Sequence, residues 1–144
     1  MGATPGEETE MPKFMLLQHY EGGAGCDVPM TEWTPEDVQA HIRFQQDLNA
    51  ELIAKGELVD AQGLAGPDVA KRVTFDGKGA PVVTDGPFPE SKELLAGYRL
   101  VDVESEERAL EIAAQTSAAP GPDGVPIQHP IEVRQVMGAP DTDL

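Results

Sequence analysis

Read as an extended chain, Lys13 through Tyr20 has Phe14, Leu16, Gln18 and Tyr20 on one side and Met15, Leu17 and His19 on the other, so that both sides carry apolar residues. In that period of two the run predicts a first strand. From Thr34 the period lengthens to that of a helix. Val38, Ile42, Gln45, Leu48 and Leu52 fall on one side, and Phe44 and Ile53 widen the stripe. Thr34 is placed to cap the first turn, Pro35 has no N–H to lose at the first helical position, and Asp37 favours the positive helix end. Gly56, just after Lys55, predicts the stop. His41 lies beside Ile42 at the edge of this face, where an imidazole can stay neutral near a pocket and exchange a proton close to physiological pH.

Shorter alternations follow. Glu57–Ala61 predicts a strand carrying Leu58 and Val59, and residues 62–67 predict a turn. Lys71–Phe75 and Ala80–Thr84 flank Asp76-Gly77-Lys78-Gly79, a hairpin signal. Leu94–Val103 predicts a long strand with Tyr98, Leu100 and Asp102 on one side and Arg99, Val101 and Val103 on the other. Ser105 then caps a second helix, whose small apolar face is Ala109, Ile112, Ala113 and Thr116 with Leu110 in support. Pro120–Pro130 is a loop, and residues 131–136 alternate as a last strand. Two helices that each need one face covered, with strands before and after both, predict an α+β fold. The expected form is ferredoxin-like: a mostly antiparallel sheet with both helices on one face and an added β-hairpin. It fills one domain over residues 13–137, with tails at 1–12 and 138–144. The other sheet face also carries apolar residues, so a second copy is expected to cover it as a homodimer.

Charge narrows the possible partners. The 144 residues hold 26 acidic and 10 basic side chains, a net charge of −16, and no basic stripe is interleaved with aromatics. Such a field repels phosphate backbones and anionic membrane surfaces, which argues against nucleic-acid and membrane partners. Cys26 is the single cysteine, so neither an intrachain disulfide nor a cysteine metal cluster can form. The first ten residues carry three glutamates and no apolar core, unlike a signal peptide, and no apolar run is long enough to span a bilayer. A cytoplasmic location is expected.

The densest chemistry lies in Val83-Thr84-Asp85-Gly86-Pro87-Phe88 and the following Pro89-Glu90-Ser91-Lys92-Glu93. Gly86 and Pro87 aim the backbone, Asp85 can cap the turn, and Phe88 can anchor it. A catalytic site would draw its proton carrier from His41 or His19 and its carboxylate from Asp85 or Glu90. Lys92 or Arg134 would neutralise an enolate or carboxylate, and Tyr98 would help to line the ligand site. Such a set suits isomerisation, lyase chemistry or hydrolytic dehalogenation of a small polar molecule. The same residues fit a noncatalytic binding or accessory protein, or a dimeric interaction module whose Asp85 turn is architectural. The enzyme reading requires a histidine within hydrogen-bond reach of Asp85 or Glu90. No metal signature and no phosphate- or dinucleotide-binding loop is present, so no cofactor is expected.

Taken together, Phe14-Met-Leu-Leu, Gly63-Leu64, the Asp85-Gly86-Pro87-Phe88 segment, Gly97-Tyr98, Val101-Asp102-Val103, Ala109-Leu110-Glu111 and the stretch from Ile131 to Met137 resemble the YCII-related family. They resemble in particular its branch named for the Asp-Gly-Pro-Phe motif. The resemblance implies a ferredoxin-like domain of the dimeric α/β barrel type and of unsettled function, distantly similar to muconolactone isomerase-like enzymes. It also implies a histidine–aspartate active-site pair, whose counterparts by chemistry are His41 and Asp85.

Overall fold

The computed structural model describes residues 12–19, 30–86 and 95–138. Tyr20, Cys26, Phe88, Glu90, Lys92, Glu93 and most of both tails lie outside them. The extended run produces β1 (Lys13–His19). The helix α1 (Pro35–Ala54) starts where expected: the Thr34 hydroxyl accepts the Asp37 N–H at 3.1 Å. It ends at Gly56, whose φ of +72 suits a residue without a side chain and lets the Glu57 N–H reach the Leu52 carbonyl at 2.8 Å. Next come β2 (Leu58–Gly63), β3 (Lys71–Phe75), β4 (Pro81–Asp85) and β5 (Leu95–Asp102). The helix α2 (Glu106–Ser117), capped by the Ser105 hydroxyl, and β6 (Ile131–Gln135) complete the fold. β2 runs through Gly63, into the segment expected to turn.

Four strands form one sheet in the order β2-β5-β1-β6, with every neighbouring pair antiparallel. The fold is α+β, and this order is consistent with a ferredoxin-like arrangement. One sheet face meets both helices: Phe14, Leu16 and Val101 pack with Leu48 and Leu52 of α1 and with Ala109, Ile112 and Ala113 of α2. Phe44, Leu58, Ile131 and Val133 flank this core. Among the described residues, no helix is long and apolar enough to cross a membrane.

Two expectations about the helices need correction. The inward stripe of α1 is centred on His41, Leu48 and Leu52, while Ile42 and Ile53 are exposed. His41 is therefore inside rather than at the edge, because the helix is turned toward a polar partner on β5. Leu110 is likewise exposed and adds nothing to the α2 core, whereas Ala109, Ile112, Ala113 and Thr116 are buried as expected. The hairpin forms as a sheet of its own, β3 with β4, in register from Lys71 opposite Asp85 to Phe75 opposite Pro81. Its turn is tied by the Asp76 carboxylate, which accepts the N–H groups of Lys78, Gly79 and Ala80 at 2.6, 3.0 and 3.1 Å. These bonds hold that carboxyl below its ordinary value.

Candidate functional site

Polar side chains gather in two places, one on each face of the main sheet. On the helix side, Arg99 is 4% exposed, between Gly97 and Val101 on the inward parity of β5. Its Nε donates to Asn49 Oδ1 at 2.8 Å, Nη1 donates to Thr116 Oγ1 at 3.2 Å, and Nη2 donates to Gln45 Oε1 at 2.5 Å. All three partners are neutral. Burial pulls the guanidinium down to about 10, which still leaves it charged at neutral pH.

The same network fixes His41. Its Nδ1 donates to the Pro120 carbonyl at 2.9 Å, so its Nε2 is left to accept from Gln45 Nε2 at 3.3 Å. The Gln45 amide points its oxygen at Arg99, and that orientation presents its NH2 to the imidazole. Trp33 meets the ring edge-on, 5.5 Å between centroids. Desolvation lowers the His41 pKa; the Pro120 carbonyl opposes this, and His129 and Arg99 add to it. His41 is thereby a neutral imidazole with both nitrogens occupied.

The register composes the other face. One row across all four strands reads Gln62, Tyr98, Leu17 and Glu132, and the next reads Asp60, Leu100, Met15 and Arg134. Leu17, Met15 and Leu100 make an apolar floor, and the outer positions are polar. Asp60 accepts from the Tyr98 hydroxyl at 2.9 Å, from Gln62 Nε2 at 3.1 Å and from the Ala61 N–H at 2.9 Å. The Tyr98 bond, ahead of the Gln62 bond, holds Asp60 below the ordinary carboxylate value, and Asp60 in turn raises the phenol. His19, two residues beyond the Leu17 that pairs with Glu132, lies diagonal to that carboxylate, with its Nε2 at 3.2 Å from Glu132 Oε1. Arg134 Nε lies 3.9 Å from the other carboxylate oxygen. Among the described residues, the buried His19 Nδ1 has no hydrogen-bond partner.

His19, Tyr98 and Arg134 thus share one face. Asp85 lies elsewhere, at the base of the exposed hairpin, with its carboxylate 2.9 Å from Lys71 Nζ. Among the described residues neither His19 nor His41 is hydrogen-bonded to it. Glu90 and Lys92 lie outside the described residues. The sequence did not point to Gln45, Asn49, Glu132 and Asp60 as site residues. For Asn49 the available signal was its helical spacing from Gln45, and for Glu132 and Asp60 it was strand parity, which has meaning only once the pairing is known.

The family model of the YCII-related domain matches residues 13–125, from the first residue of β1 into the loop after α2. The chain belongs to the YCII-related family. An uncharacterized protein of Rhizobium meliloti (strain 1021) is 31% identical to it over 87 residues, 60% of this chain and 69% of the relative. In this YCII-related chain the matched span includes both His19 and the whole of the Arg99 network, but ends before Glu132 and Arg134 on β6.

Proposed function

We propose that this YCII-related protein handles a small polar molecule on the open sheet face, with His19 as the proton-transferring group. The supporting observation is the His19–Glu132 contact of 3.2 Å beside an Nδ1 that is unpartnered among the described residues. A carboxylate that accepts from Nε2–H selects the tautomer with its lone pair on Nδ1, which is then the basic atom. Tyr98 and Arg134 stand on the two neighbouring strands of the same face, where a phenol and a cation can bind the oxygen of a carbonyl, enolate or carboxylate. The chemistry that fits is proton transfer in an isomerase or lyase. In this reading His41 keeps Gln45 against Arg99 and so supports the sheet from behind, and Asp85 closes the hairpin with Lys71.

A second copy of the chain is the partner we propose for the apolar floor of the open face, giving the dimeric barrel form. Membership of the Asp-Gly-Pro-Phe branch rests on residues 85–88, and a cytoplasmic location fits a chain with one cysteine. Turnover of small carbonyl and carboxylate compounds by the purified protein tests the site, with His19→Gln and Glu132→Gln assayed beside it. Loss of the acid–base group is expected to lower kcat by about 10²–10⁴-fold with folding retained. Full turnover by His19→Gln would remove His19 from the mechanism.

A further inference from the structure

Every residue of the hairpin from 71 to 85 is exposed. Its register puts Val73, Phe75, Pro81 and Val83 on one side, and Phe75, Val73 and Val83 are 69%, 58% and 54% exposed. A two-stranded hairpin is marginal in water unless its apolar side packs on something. Near the start of α1, Met30, Trp33, Pro35, Val38 and Ile42 line an open groove, with Met30 and Ile42 exposed. The exposed carboxylates Glu32 and Glu36 belong to the same segment.

We propose that this groove receives the β3–β4 hairpin of a second copy, and that two such contacts related by a twofold axis hold a dimer together. Polarity matches, since an apolar strand face meets an apolar groove. Charge matches as well. Two chains of net charge −16 repel each other, yet the hairpin holds three of the ten basic residues, Lys71, Arg72 and Lys78. Lys71 and Asp85 pair with each other and the turn amides hold Asp76, so three cations against two carboxylates leave the hairpin at a net charge of +1, with Lys78 in its turn. It is a basic, apolar arm on an acidic protein, suited to a groove bearing Glu32 and Glu36. Reciprocal exchange closes the pair, whereas one-way insertion would build rings or fibres.

The inference rests on a second copy being the partner, and the experiment separates the two claims. The mass of the full chain in solution is measured at micromolar concentration by light scattering. The wild type is expected at twice the monomer mass. Phe75→Asp with Val83→Asp, and separately Ile42→Asp, are each expected to weaken association by at least about 30-fold and give the monomer mass. All three sites are exposed and outside the core, so the helical far-UV circular dichroism should not change. Lys78→Glu is expected to weaken the dimer by about threefold, with recovery when Glu36→Lys is added. A monomeric wild type would overturn both the arm and the second-copy partner. A dimer indifferent to the hairpin and Ile42 substitutions would overturn the arm alone, and one sensitive to the hairpin but not to Ile42→Asp would overturn the groove as its seat.

Discussion

Arg99 sets the character of the interior at the scale of single residues. A buried guanidinium needs a donor-by-donor account, and here Asn49, Thr116 and Gln45 supply it without a carboxylate. Removing one partner leaves a charged donor unsatisfied. Asn49→Ala is therefore expected to destabilise the fold by about 2 kcal/mol, measured by urea denaturation. His41 is coupled to the same cation through Gln45. Protonating Nε2 would set it against the Gln45 NH2, and turning that amide would withdraw its oxygen from Arg99. The sign of the pH effect follows. The unfolded chain takes up this proton near the ordinary value of about 6.5, the folded chain only at lower pH. This contribution to stability is full above the ordinary value and is lost as pH falls through the depressed folded one. Denaturation series at several pH values should show that slope in the wild type and its absence in His41→Gln. At this scale the sequence already held half the message, since Arg99 shared a strand side with Val101 and Val103. What it lacked was the identity of the acceptors, which come from positions 45, 49 and 116 and converge only on folding.

Local chemistry governs the elements. Thr34, Ser105, Gly56 and the Asp76–Gly79 turn act within a few residues of themselves, and each formed where its pattern lay. Thr34→Ala should cost about 1 kcal/mol, visible as a lower denaturation midpoint. The orientation of α1 was less legible. Hydrophobicity alone counts Ile42 and Ile53 toward the core and His41 and Asn49 away from it. The helix keeps Leu48 and Leu52 inward but is turned enough to bury His41, expose Ile42 and Ile53, and set Gln45 and Asn49 against Arg99, which needs polar acceptors from α1. Strand pairing brings a different constraint at Gly97, opposite Gly63. A Cβ there would lie 2.8 Å from the Gln62 carbonyl oxygen and 3.3 Å from Gly63 Cα. Gly97→Ala is expected to push β2 from β5 and destabilise by about 1–3 kcal/mol, with faster amide exchange along β2.

Across the whole molecule, helix and sheet are joined at a point the sequence spaced far apart. Arg108 of α2 forks the Glu57 carboxylate with two bonds of 2.9 Å, both side chains being half-buried. That fork lowers Glu57 and raises Arg108. Its stabilisation is full above the ordinary carboxylate value and is lost as pH falls through the depressed one, a more acidic window than that of His41. Arg108→Ala should therefore destabilise by about 2 kcal/mol at neutral pH, with a smaller difference in strong acid. Element types, caps, the hairpin turn and the α+β class were determined by the sequence alone, because each depends on periodicity and on neighbours a few residues away. Tertiary structure alone decided the pairing of β1 with both β5 and β6, the rotation of α1 and the union of His19 with Glu132. Residues more than a hundred positions apart have no local signal of their meeting, and a strand's partner is set by the core that all the elements bury together.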